Sequence, residues 1–289
     1  MKLVLLPLLT ILILGCQMNT SSSKDGSKGI MVSENGLSAS RVYLADAEEE
    51  TDNRTFFYGQ KIYTNFIDID GFIEENGKIF PQMDMFVLSK KGDTVLKRYD
   101  LFGADFEGLD GDDSSLNGHM ILARPIYSGT TYALACHIRD TKGNASMNTK
   151  MDFELVPDTK IKVVSNGLTY SEAYIYSDDR DEIIHDGTFN FFENLRFDIQ
   201  DLDGYVKKDQ AIHLGMSVRV IDNDNNQILD MADVFEEPIT NEALLKQGVA
   251  ATLIVKEGQI ANPLKWQIRI WDKNSEAKLK AEAKINVKN

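Results

Sequence analysis

Cysteine is nearly missing: the 289 residues contain two, Cys16 and Cys136. A disulfide framework therefore does not hold this fold together, and each folded unit must be supported by packing. Histidine is scarce too, with four. His119, His137, His185 and His213 show neither HxH nor HxxxH spacing, so no local zinc motif is written. A GxSxG nucleophile turn, a phosphate-cradling glycine loop and a CxxC pair are absent. Basic runs are absent as well. The formal charge is −14, with 21 acidic against 12 basic side chains in residues 34–157 and 23 against 16 in residues 158–289. A phosphate backbone would meet repulsion from both halves, which excludes nucleic acid as a partner. No stretch approaches the roughly 20 apolar residues of a membrane-spanning helix.

What is present begins with the leader. Residues 3–14 read LVLLPLLTILIL behind Lys2, a run of 12 residues. As a helix it would reach about 18 Å, well short of a hydrocarbon core of roughly 30 Å, and a short basic start before a brief apolar core reads as a secretion signal. Ile13-Leu14-Gly15-Cys16 resembles the lipobox of bacterial lipoproteins. The resemblance implies cleavage before Cys16, attachment of acyl chains such as palmitate to Cys16, and an anchored mature protein. With Gln17 rather than aspartate after the cysteine, it also implies the outer membrane. Two or more acyl chains hold firmly where one is marginal. The Ser-, Lys- and Gly-rich QMNTSSSKDGSKG (17–29) suits a flexible spacer. The expected layout is a signal peptide at 1–15, a lipid-anchored tether at 16–33, and domains at 34–157 and 158–289.

The two domains are one pattern written twice. Residues 70–102 align without a gap on residues 203–235, at a constant shift of 133. Asp70-Gly71-Phe72 meets Asp203-Gly204-Tyr205, and Asp100-Leu101-Phe102 meets Asp233-Val234-Phe235. Asn35-Gly36-Leu37 matches Asn166-Gly167-Leu168, and Ile138-x-Asp140 matches Ile270-x-Asp272, in the same order at nearly the same spacing. Period-two alternation runs through 62–69, 83–88, 132–138 and 151–156, and again through 195–199, 216–221, 266–271 and 281–287. In the first of these, Ile62, Thr64, Phe66 and Asp68 are expected on one face. Lys90-Lys91-Gly92-Asp93 and Asn223-Asp224-Asn225-Asn226 read as equivalent hairpin turns. The pattern predicts an all-β chain of two tandem duplicated, Ig-like β-sandwich domains. One short helix is expected at 241–248, where the first copy has the Gly/Asp-rich loop GADFEGLDGDDSSLNG (103–118).

Candidate chemistry is sparse. Asp105, Asp110, Asp112 and Asp113 make an oxygen-rich loop of the kind that holds calcium when carboxylates converge, and a solvated loop of mutually repelling charges is the preferred reading. Asp222-x-Asp224-x-Asn226 imitates an EF-hand, but Gln227 stands at its glycine position, so a hairpin turn is preferred. Asp70 and Asp203 read as structural corners, with the acid bonding a nearby amide and the glycine permitting a bend. Trp266 falls in phase with Ile268 and Ile270 and is expected in the core. Trp271, in the opposite phase, is expected at an edge. Trp271, Tyr174 and Tyr176 are the candidate ligand contacts, with no catalytic residue and no cofactor assigned. The expected function is binding or scaffolding of an envelope protein or glycan. A carbohydrate-active hydrolase, or its accessory carbohydrate-binding module, is the alternative.

Overall fold

The computed structural model describes residues 29–46 and 49–288. The leader and the lipid-attachment candidate Cys16 lie outside the described residues. The chain is all-β, with a single helical turn and a half at Glu242–Gln247, and it forms two β-sandwiches of the same design.

In the first copy the larger sheet runs in the order Met31–Asn35, Ser146–Val156, Thr130–Asp140, Pro81–Leu88, Thr94–Arg98, with Thr55–Phe57 added parallel to the end of Ser146–Val156. The smaller sheet facing it runs Leu116–Ile121, Lys61–Asp70, Ser38–Asp46, Glu49–Thr51. The second copy repeats this strand for strand. Its larger sheet is Ile161–Asn166, Lys278–Lys288, Leu264–Asp272, Leu214–Ile221, Gln227–Met231, with Thr188–Asn190 parallel to Lys278–Lys288. Its smaller sheet is Val249–Ile254, Asn194–Ile199, Ala173–Ser177, Glu182–Ile183. Even the irregularities recur: the register slips between Val87 and Leu88 in one copy and between Val220 and Ile221 in the other.

Alternation fills both cores. Met83, Met85 and Val87 point inward from one strand, and Met216, Val218 and Val220 from its counterpart. Trp266, Ile268 and Ile270 are fully buried, and the Trp266 indole meets Phe197 edge-on at 5.5 Å. The same slots in the first copy hold Leu134, Cys136 and Ile138, which face Val87, Met85 and Met83 as Trp266, Ile268 and Ile270 face Val220, Val218 and Met216. Cys136 therefore occupies an apolar position, and burial pushes its thiol up to about 11 despite neighbouring Thr64 and Thr149.

The shared sequence motifs touch one another in space. A Cβ on Gly71 would lie 1.9 Å from the Gly36 carbonyl oxygen, and one on Gly204 would lie 2.1 Å from that of Gly167. The Asp-Gly and Asn-Gly-Leu motifs are thus two halves of one close backbone crossing, repeated once per copy. Asp140 closes it by accepting from the Ile73 amide at 2.9 Å, and Asp272 accepts from the Val206 amide at 2.8 Å. Asp203 bonds the Gly204 amide at 2.7 Å and Lys246 at 2.6 Å, as a corner aspartate should. Asp70 has no such bond among the described residues.

Three expectations are corrected. Asp68 does not share the inward face: its φ of 49° slips the alternation by one residue, so Ile69 is buried in its place. Asp201, with φ 51°, does the same for Leu202. This is a bulge that short polar residues tolerate. The folded body also begins before residue 34, because Ile30 and Val32 are buried and Met31–Asn35 pairs with Ser146–Val156. Trp271 is not at an edge. It lies on the outer face of the central strand of its sheet, opposite Gly215, where a Cβ would come within 2.1 Å of the indole.

The helix forms where expected, with the Asn241 side chain accepting from the Ala243 amide and Gly248 ending it. Asp222 makes the hairpin turn preferred above. Its carboxylate accepts from the amides of Asp224 at 3.0 Å and Asn226 at 2.8 Å, and from the Asn226 side chain at 2.9 Å.

Candidate functional site

The two sandwiches meet through a junction made of side chains from both. Tyr58 of the first copy stacks on Tyr174 of the second, with ring centroids 5.5 Å apart and planes 29° from parallel. A directed chain of hydrogen bonds ties them. The Arg124 amide donates to the Tyr58 hydroxyl at 3.1 Å, Tyr58 donates to Gln200 Oε1 at 3.0 Å, and Gln200 Nε2 donates to the Tyr174 hydroxyl at 2.5 Å. Beside it, Arg124 pairs with Asp201 at 2.9 Å and donates to the Lys246 carbonyl at 3.1 Å. Glu172 is buried and accepts from the Ser128 amide at 2.6 Å and from its hydroxyl at 2.8 Å. Phe57 stacks on His185 at 5.7 Å. Ile183 packs against Gly59 so closely that a Cβ there would meet its Cδ1 at 2.1 Å.

Next to this junction is a cleft of about 570 Å³, within the size range of small-molecule sites. One wall is the Tyr58–Lys61 turn, Tyr63 and Ile121 of the first copy. The other is the outward face of the second copy's smaller sheet, where Tyr174, Tyr176 and Arg196 stand on neighbouring strands. The side chains are held in place. The Arg196 guanidinium lies 4.8 Å over the Tyr176 ring and pairs with Asp178 at 3.3 Å. Gln60 donates to Asp46 at 2.5 Å while accepting from the Phe57 amide at 3.0 Å. Tyr176 donates to Asp181, and that bond, with burial, pushes its hydroxyl up to about 12. Burial likewise raises Tyr58, Tyr174 and Glu172, the last against hydrogen bonds from Ser128 that favour its charged form.

Of the residues singled out from sequence, Tyr174 and Tyr176 are brought together here. Trp271 is not. It lines a separate groove of about 350 Å³ on the larger sheet, with Val164 and Arg269. Asp105, Asp110, Asp112 and Asp113 are all exposed on their loop, where Asp110 pairs with Lys78 in a two-residue ladder. Among the described residues no group of three or more His, Cys, Asp or Glu converges well enough to hold a metal ion. Sequence reasoning missed Tyr58, Gln60, Tyr63, Arg196, Gln200 and Glu172. The available signal was the outward phase of Tyr63 and Arg196, polar-faced aromatic or cationic side chains at equivalent positions of the two copies.

No protein-family model and no curated protein matches the chain. Among solved structures it is similar to one named pT26-6p, at 7% identity and a TM-score of 0.24, over 90% of this chain and 64% of that one. It is also similar to Salmonella alpha-2-macroglobulin reacted with methylamine, at 10% identity and a TM-score of 0.21, over 90% of this chain and 18% of that one. The chain thus spans less than two thirds of the length of either. At such TM-scores neither likeness bears on fold or function.

Proposed function

We propose that this chain is a lipid-anchored protein of the bacterial outer membrane whose paired sandwiches bind or scaffold a protein or glycan partner, without catalysis. The supporting observation is how the ionisable groups around the cleft are used. Arg124 is held by Asp201, Arg196 by Asp178, Asp46 by Gln60, Asp181 by Tyr176 and Glu182 by Arg180. Each fixes a neighbour in position, while His185 at the same cleft stacks on Phe57 and lies 3.5 Å from Asp158. Such a wall presents oriented hydrogen-bonding groups and flat rings, which is the equipment of recognition.

The leader supplies the anchoring half of this reading. Fed labelled palmitate, cells carrying the full chain should yield a labelled protein in the outer-membrane fraction, and Cys16→Ser should abolish both label and membrane retention. Full chain recovered from native membranes should carry its partner with it. An unlabelled protein in the cytosol with its leader intact contradicts the anchoring, and turnover of a glycan substrate by the purified chain contradicts the non-catalytic role.

A further inference from the structure

The geometry points to a neutral oligosaccharide as the ligand of the cleft between the two copies. This deepens the binding role proposed above and rests on it. Charge decides first. Lys61, Arg124 and Arg196 face Asp46, Asp181 and Glu182 around the cleft, three cations against three anions. A balanced wall on a chain of formal charge −14 gives an anionic ligand no net attraction at the site and repulsion on approach. A cationic ligand would have to displace bonds already made to Asp46 and Asp181.

Shape and chemistry decide next. The cleft's apolar surface comes from four tyrosine rings together with Ile121, Ala123 and Ile183, and tyrosine rings can stack against the C–H faces of sugar rings. Among its polar groups are an amide at Gln60, a guanidinium at Arg196 and an ammonium at Lys61. The first two are planar and can pair with adjacent hydroxyls, and both are pre-set by Asp46 and Tyr176. Lys61 has no ion-pair partner among the described residues and is free to donate. A peptide is the poorer fit. The edge strand at this wall, Glu182–Ile183, is two residues long, too short for the backbone ladder on which strand addition depends. Because Gln60 and Lys61 come from one copy and Tyr176 and Arg196 from the other, the site exists only in the docked tandem.

The test is calorimetric titration of the full chain with neutral gluco-, manno-, galacto- and xylo-oligosaccharides, from di- to hexasaccharides. Uronic-acid oligosaccharides and an extended neutral peptide are run alongside. At least one neutral series should bind, and Tyr176→Ala and Arg196→Ala should each weaken it at least tenfold. Lys61→Ala, an exposed position that does not threaten folding, should weaken it severalfold, and Trp271→Ala should leave it unchanged. Binding that survives all three cleft substitutions overturns the assignment to the cleft. No neutral series binding, or only the acidic sugars or the peptide binding, overturns the ligand class. In either case a partner recovered from native membranes would leave the broader binding role standing.

Discussion

A methyl group at residue 71 or 204 has no room. Both glycines have positive φ, 102° and 84°, and each would press a Cβ into a carbonyl oxygen at about 2 Å. Gly77 has a similar φ of 79° with nothing within 4 Å, so it isolates the backbone cost from the clash. Gly77→Ala should lose about 1 kcal/mol, the left-handed penalty alone, whereas Gly71→Ala or Gly204→Ala should lose about 2–3 kcal/mol. Urea midpoints of the three variants check this, and equal losses would remove the crossing as the reason for the repeated motif. Glu172 gives a residue-scale test of opposite kind. Burial holds its carboxyl above the ordinary range, so as pH falls the folded protein takes up that proton before the unfolded chain does. Glu172 therefore favours folding more as the solution acidifies. Asp222 is held low by hydrogen bonds, first from the Asn226 side chain, and its contribution is present above a pH of about 4 and is lost as pH falls through its folded value. Glu172→Gln should thus be at least as stable as the parent at neutral pH, with the difference closing as the solution is acidified in urea titrations. A variant that is less stable at neutral pH would contradict a burial-raised carboxyl.

At the scale of strands, most of the architecture was legible. The alternation of Met216, Val218 and Val220, and of Trp266, Ile268 and Ile270, names its buried face directly. The 133-residue shift foretells a second sandwich built like the first. The phase slip at Asp68 was not legible, because nothing in a run of alternating residues marks a left-handed aspartate. It becomes visible only when Asp201 is seen to repeat it. Trp271 was misplaced for a related reason: phase gives the face of a sheet but not the position of a strand within it. Gly215, directly across the ladder, is what admits the indole. Gly215→Val should expel that ring into solvent and shift tryptophan emission to the red, with the buried Trp266 as internal reference. Emission that does not move would contradict the packing of Trp271 on Gly215. Trp266→Ala removes the largest side chain of the second core and should cost about 3–5 kcal/mol, read as early loss of that copy in thermal unfolding.

At the scale of the whole molecule, the cleft was the part sequence could not give. Its walls come from residues up to 154 positions apart, Asp46 and Gln200 at the extremes, and only docking of the copies makes them neighbours. Tyr174 and Tyr176 were found from sequence because aromatic side chains on one strand face stand out. Gln60 and Glu172 carry no such mark. Docking turns two similar sandwiches into a body with a feature that neither possesses alone. Gly59→Leu, which drives a side chain into Ile183 at the contact, should split thermal unfolding into two transitions while each copy keeps its strand content.

The most direct measurement of that docking is hydrogen exchange at the Ser128 amide in the full chain. Its N–H donates to Glu172 of the other copy at 2.6 Å, so its protection reports contact between the copies rather than the folding of either. Docked copies predict slow exchange at Ser128 that Gly59→Leu accelerates by at least tenfold. Exchange at the rate of an open loop in the unmodified chain would contradict a built junction, and with it the cleft.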